Sequence, residues 1–136
     1  MQRNTILAVL AMAVLGGGVW VLTQPSGPQA TDGMVQVMVP TLSAEAQGGA
    51  QLFEANCSQC HGRNGAGQDG SGPPLIHKIY EPSHHGDISF LRAVQFGVRA
   101  HHWTFGDMAP VDGVSTRQAG QIITYIREVQ RANGIE

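Results

Sequence analysis

Cysteine is nearly absent from this chain. Of its 136 residues only two are cysteines, Cys57 and Cys60. Two thiols exclude a Cys₄ zinc site and a multi-bridge disulfide framework. Lysine is scarcer still: Lys78 is the only one, and the other basic residues are arginines. That excludes docking through a lysine-rich ring. With a formal net charge of −2, nucleic acid is not an expected partner either. Charged residues make up 13% of the chain and aromatics 6%. A domain of about 100 residues built from this composition has a limited core of its own, because small domains bury a smaller share of their surface. No repeat or low-complexity tract marks an additional module. Glycine, in contrast, is abundant at 18 residues, which suits a loop-rich fold.

The two cysteines stand in the run Cys57-Ser58-Gln59-Cys60-His61. A bare C-x-x-C has several readings: a redox dithiol, half a zinc site or a short-range disulfide. A redox dithiol should close a strand within βαβ units, and no such pattern surrounds it. A Cys₂His₂ site would need a second histidine at finger spacing, and none follows at the usual interval. C-x-x-C-H has a different logic, that of covalent haem attachment. Each thiol adds to one vinyl group on a haem edge, and the next histidine is held under the iron as the proximal axial ligand.

Residues 6–22 are uncharged and mostly apolar, preceded by a short polar start with Arg3. As a helix they would reach roughly 25 Å, at the low end of a membrane span. Two readings compete: a cleaved secretory signal peptide and an uncleaved signal anchor. No good small-x-small cleavage motif follows directly, and Trp20 suits the interface, so the anchor is favoured. Arg3 on the inner side follows the positive-inside tendency. Export bears on the thiols, since two free cysteines in an oxidising compartment would be expected to pair. Haem attachment consumes both. The domain plan is therefore a signal peptide or anchor over 1–22, a linker over 23–42 and a haem domain over 43–136.

Pro25, Gly27, Pro28 and Gly33 give the linker its character. Val35, Val37 and Val39 alternate and predict a short extended piece. Ser43 is an expected N-cap, with Glu45 in the first turn of a helix from about 44 to 56. Leu52 and Phe53 would supply its buried face. Gly48 and Gly49 are costly in a helix interior, and the functional reading is that another helix crosses closely there. After the motif, Gly62, Gly65, Gly67, Gly70 and Gly72 form a loop. A phosphate-cradling role is not supported, because no strand precedes them and no Gly-Lys-Ser/Thr follows. The loop ends in Gly72-Pro73-Pro74-Leu75, where a proline carbonyl could accept a hydrogen bond from His61. Asp87 is expected to cap a helix through about Arg99, with Phe90, Leu91, Val94 and Val98 at helical spacing. Ser115-Thr116-Arg117-Gln118 matches a capping box. It opens a last helix with Ile122, Ile123, Tyr125, Ile126 and Val129 as its apolar stripe and Gly134 as its stop.

Four pieces in order carry a resemblance: Phe53-Glu54-Ala55-Asn56-Cys57-Ser58-Gln59-Cys60-His61-Gly62, Gly72-Pro73-Pro74-Leu75, Gly106-Asp107-Met108-Ala109-Pro110, and the amphipathic C-terminal helix. Residues 43–134, about two thirds of the sequence, resemble a small class I c-type cytochrome. Ala109 departs from the pattern, since many members have proline directly after the methionine. The resemblance implies an all-α, class I cytochrome c fold packed around one covalent haem c. It also implies electron transfer without a catalytic acid, base or nucleophile, and a last helix that crosses the first near Gly49 and Phe53 with Tyr125 at the contact.

Met108 is the candidate sixth ligand, because Met1, Met12, Met34 and Met38 all precede the motif. His101 and His102 are its rivals. Pro74, Tyr80, Arg99 and Trp103 are the remaining candidate cofactor contacts, with His77 beside them as a hydrogen-bond donor to haem propionates. His84 and His85 with His101 and His102 admit a second metal, copper or zinc. Against it, adjacent histidines on a helix or strand point in different directions. The leading expectation is a single-haem carrier ligated by His61 and Met108. It serves membrane or periplasmic redox partners, and residues 6–22 tether it to the periplasmic face of a bacterial inner membrane. The rivals are a haem-based ligand sensor and an electron-feeding subunit of a periplasmic oxidoreductase.

Overall fold

A computed structural model of the protein describes residues 34–136. The apolar segment at 6–22 and most of the expected linker lie outside the described residues. Among the described residues, four α-helices follow in order: α1 (Ala44–Asn56), the single turn α2 (Ser58–His61), α3 (Asp87–Phe96) and α4 (Thr116–Ala132). Short 3₁₀ turns cover Arg63–Gly65 and Lys78–Tyr80. Among the described residues there is no named strand, and no helix is long and apolar enough to cross a membrane.

Helix α1 begins where its cap predicts. The Ser43 hydroxyl accepts from the Ala46 amide at 3.2 Å, which satisfies one of the free N–H groups of the first turn. It ends at Cys57, whose amide closes on the Phe53 carbonyl. Helix α4 carries the full capping box between Ser115 and Gln118. It buries Ile122, Ile123, Tyr125, Ile126 and Val129.

The two long helices cross at Gly49. A methyl group there would overlap the backbone carbonyl of Gln121 and press on Tyr125. Phe53, 1% exposed, packs one turn further on against Tyr125, with ring centroids 5.6 Å apart. The extended segment before α1 joins this core. Val37 is buried, Val35 and Val39 pack partly against the cluster, and the Val35 amide bonds the Ala66 carbonyl. Part of the stretch read as linker thus runs along the folded unit.

Helix α3 differs from its expected span at both ends. Gly86 occupies the N-cap position, and Asp87 is the first helical residue. The C-terminus falls at Phe96, short of Arg99, because Gly97 turns the chain with φ 72°. Val98 then pairs in extended form with Met108: each amide bonds the other's carbonyl, at 2.9 and 2.8 Å. A side chain at Gly97 would strike the Met108 carbonyl, so the glycine permits both the turn and the pairing.

Candidate haem site

The arrangement starts at His61, on the last turn of α2. Its Nδ1 lies 3.0 Å from the Pro73 carbonyl. A carbonyl only accepts, so Nδ1 carries the proton and Nε2 keeps its lone pair. Burial lowers the pKa of His61 below the ordinary value, with the Pro73 hydrogen bond opposing. The ring is thus neutral and oriented, as an iron ligand must be. The accepting carbonyl belongs to Pro73. Pro74 is fully buried and packs under Gly67, away from the cleft.

Cys57 and Cys60 flank the same turn, Cys57 half-buried and Cys60 exposed. Burial first, then the neighbouring Cys60, pushes the Cys57 thiol up to about 11.

Cys57 and His61 open onto a half-open, mostly apolar cleft, the kind of surface that takes a cofactor. Phe53 and Leu75 form part of the wall, with Val94 from α3 and Ile122 and Ile126 from α4. Met108 stands in the lining, placed there by its pairing with Val98. Tyr80 and Trp103 also line the cleft. Arg99 is exposed and does not, and its carbonyl faces the His101 ring at 2.8 Å. His77 is also outside the lining, holding the Trp103 ring edge-on at 5.2 Å.

One polar atom in the wall lacks a partner. Trp103 Nε1 is buried with no hydrogen bond, alone in this among the described residues. Burial raises the Tyr80 phenol above its ordinary value. The nearby Trp103 indole acts in the other direction, but without completing a hydrogen bond. An orphan donor in a mostly apolar cleft calls for an acceptor supplied by a ligand. The carboxylates of a haem are such acceptors, so the chain's residues fit the group.

Sequence reasoning missed what holds this wall in place. Arg127 is 7% exposed on α4. Its guanidinium donates to the carbonyls of Tyr80 and His85, to Gln130 Oε1 at 2.6 Å and to Asp87 Oδ1 at 2.8 Å. Gln130, fully buried, donates to the carbonyls of Leu75 and Tyr80 at 2.9 and 3.1 Å. Together they anchor residues 75–87 to the last helix. The spacing contained a signal: Arg127 and Gln130 stand four and seven residues after Ile123, on one helix face.

A helical unit that brings Cys57, a neutral histidine and Met108 to one cleft, with Cys60 exposed on the same turn, has the parts of a covalent-haem domain. A family model described as Cytochrome c matches residues 46–130. That span is well over half of the chain, and the protein belongs to the cytochrome c family. It is a haem electron-transfer protein with iron in a covalently attached haem c. No individual curated protein matches the chain closely.

Proposed function

We propose that the domain is a single-haem, one-electron carrier with His61 and Met108 as the axial ligands. The observation that carries this reading is the His61 geometry: Nδ1 is committed to the Pro73 carbonyl, and the ring lines a cleft that Met108 also lines. Haem iron supplies a one-electron couple, and thioether ligation favours its reduced form. The chain's residues do the rest. Cys57 and Cys60 fix one haem edge, and the exposure of Cys60 puts that edge near the surface, where an electron enters and leaves. Phe53, Leu75, Ile122 and Ile126 exclude water. Trp103 and Tyr80 offer donors to the carboxylate side.

The proposed partners are membrane or periplasmic redox proteins, met through largely apolar contacts with some arginine, since the chain has a single lysine. The proposed location is the periplasmic face of a bacterial inner membrane, with residues 6–22 as tether. A tether would raise the effective concentration of the domain near membrane complexes. Intact mass of the exported protein reports both cleavage and haem attachment.

Carbon monoxide tests the ligation. The reduced wild-type protein should ignore it, while Met108→Ala should bind it and change its absorption spectrum. Ready binding by the wild type would mean an open iron and would favour a sensor.

A further inference from the structure

Four histidines remain unused by electron transfer, and the fold brings them together. His84 and His85 lie in the turn before α3, and His101 and His102 in the loop before Met108. Their rings pack on one another: His84 and His85 centroids are 4.6 Å apart, His101 and His102 4.4 Å, His84 and His102 5.2 Å. Neither pair sits on a helix or strand, so the usual divergence of adjacent side chains does not apply.

We propose that His84, His85 and His102, with His101 beside them, form a second metal site that takes a zinc or copper ion. The proposal goes beyond the carrier reading and does not depend on it. One nitrogen from each of the three lies within 4.8 Å of the others. Nε2 of His84 and Nε2 of His102 are 3.3 Å apart. Two zinc–nitrogen bonds of roughly 2.0–2.1 Å at a tetrahedral angle span about 3.3 Å, so that pair already has the edge of a tetrahedral site. Two of the rings have their tautomer set by the backbone. His85 Nδ1 is 2.7 Å from the Ile79 carbonyl and His101 Nδ1 is 2.8 Å from the Arg99 carbonyl. Each ring therefore keeps its Nε2 lone pair free, and a backbone carbonyl on the other nitrogen is the usual support of a ligating histidine.

The supports are built in from two directions. Arg127 holds the His85 carbonyl, and the amides of His84 and His85 both bond the Glu81 carbonyl. On the other loop, Asp107 Oδ1 accepts from the Ala100 amide at 2.8 Å, next to the Val98–Met108 pairing. An all-imidazole donor set suits zinc and copper and disfavours magnesium and calcium. Three protein nitrogens leave a fourth position to His101 or to a solvent ligand. His85, His101 and His102 also line the haem cleft, which puts the second ion at its rim.

The test uses the full, tag-free, haem-loaded protein titrated separately with Zn²⁺ and Cu²⁺. Calorimetry and metal analysis should give one ion per chain, with an unchanged haem spectrum. His84→Ala and His102→Ala should each weaken binding by about 100-fold or more, since even loss of a supporting group costs roughly 10–100-fold. His77→Ala, outside the cluster, should leave it unchanged. Nitrogen hyperfine structure in the paramagnetic resonance spectrum of the Cu²⁺ form should report imidazole ligands. Sub-stoichiometric binding overturns the proposal, as does binding that survives loss of both His84 and His102. A copper spectrum without nitrogen ligands overturns it too, and needs no variant to fold.

Discussion

Arg127 shows how a single residue carries weight through groups other than its obvious partner. Its ion pair with Asp87 is 2.8 Å long, but the Asp87 side chain is 69% exposed. A partner that open to water contributes under about 1 kcal/mol, so Asp87→Asn should shift the denaturation midpoint little. Arg127→Met is a different case. It strips the Tyr80 and His85 carbonyls and Gln130 of a buried donor, and should cost about 1–3 kcal/mol. Urea denaturation of the two variants separates these roles. Spacing alone sets Arg127 on the face of Ile123 and Gln130, but its carbonyl partners, which make it an anchor and not a solvated charge, come from the fold. His61 was legible for the opposite reason. Its chemistry is local, set by two cysteines within four residues, and only its accepting carbonyl needed coordinates to separate Pro73 from Pro74.

At the scale of elements, the informative contrast lies between adjacent glycines. A Cβ on Gly48 meets only the Gln121 side-chain amide at 3.4 Å, ordinary van der Waals contact. Gly48→Ala should therefore stabilise α1 by up to roughly 1 kcal/mol, the difference in helix propensity. The same change at Gly49 drives a methyl into the α4 backbone, and overpacking of this kind costs about 1–3 kcal/mol or more. Thermal melts of the two variants should move in opposite directions. The crossing near Gly49 and Phe53 with Tyr125 at the contact was implied by resemblance, and the structure has it there; that Gly48 stands clear of it was not legible. The starts of α1 and α4 were well marked, Ser43 and Ser115 by their hydroxyls and Gln118 by its reach back to the cap. The end of α3 was overrun because Val98 continues the apolar spacing of Val94, and spacing alone does not reveal that Gly97 adopts a positive φ.

Across the whole molecule, the segment ahead of α1 is tied to the last helix. Glu128 accepts from the Ser43 amide and hydroxyl at 3.0 and 2.7 Å, and Asn133 bonds both the amide and the carbonyl of Met38. The Ser43 hydrogen bonds lower the Glu128 pKa from its ordinary 4.5. A carboxylate lowered in the folded state stabilises it above the ordinary value, and that contribution is lost as pH falls through the lowered one. Glu128→Gln should thus be less stable than wild type at pH 7, by under about 1 kcal/mol because the group is exposed. The gap should close as pH drops below 4.5, read from paired urea midpoints. These ties span most of the chain, and no local pattern announces them.

The pairing of Met108 with Val98 has a consequence for how fast an electron can move. Both backbone polar groups of the methionine are spent on one neighbour, and Gly97 lets the two segments close without a gap. With Met108 as ligand, any exchange of that ligand proceeds by rotation about side-chain bonds within a fixed frame, not by refolding of the loop. Such a frame relaxes little when the iron gains or loses charge. If Met108 is the ligand, a small reorganisation energy is what this corner of the fold would contribute to the rate.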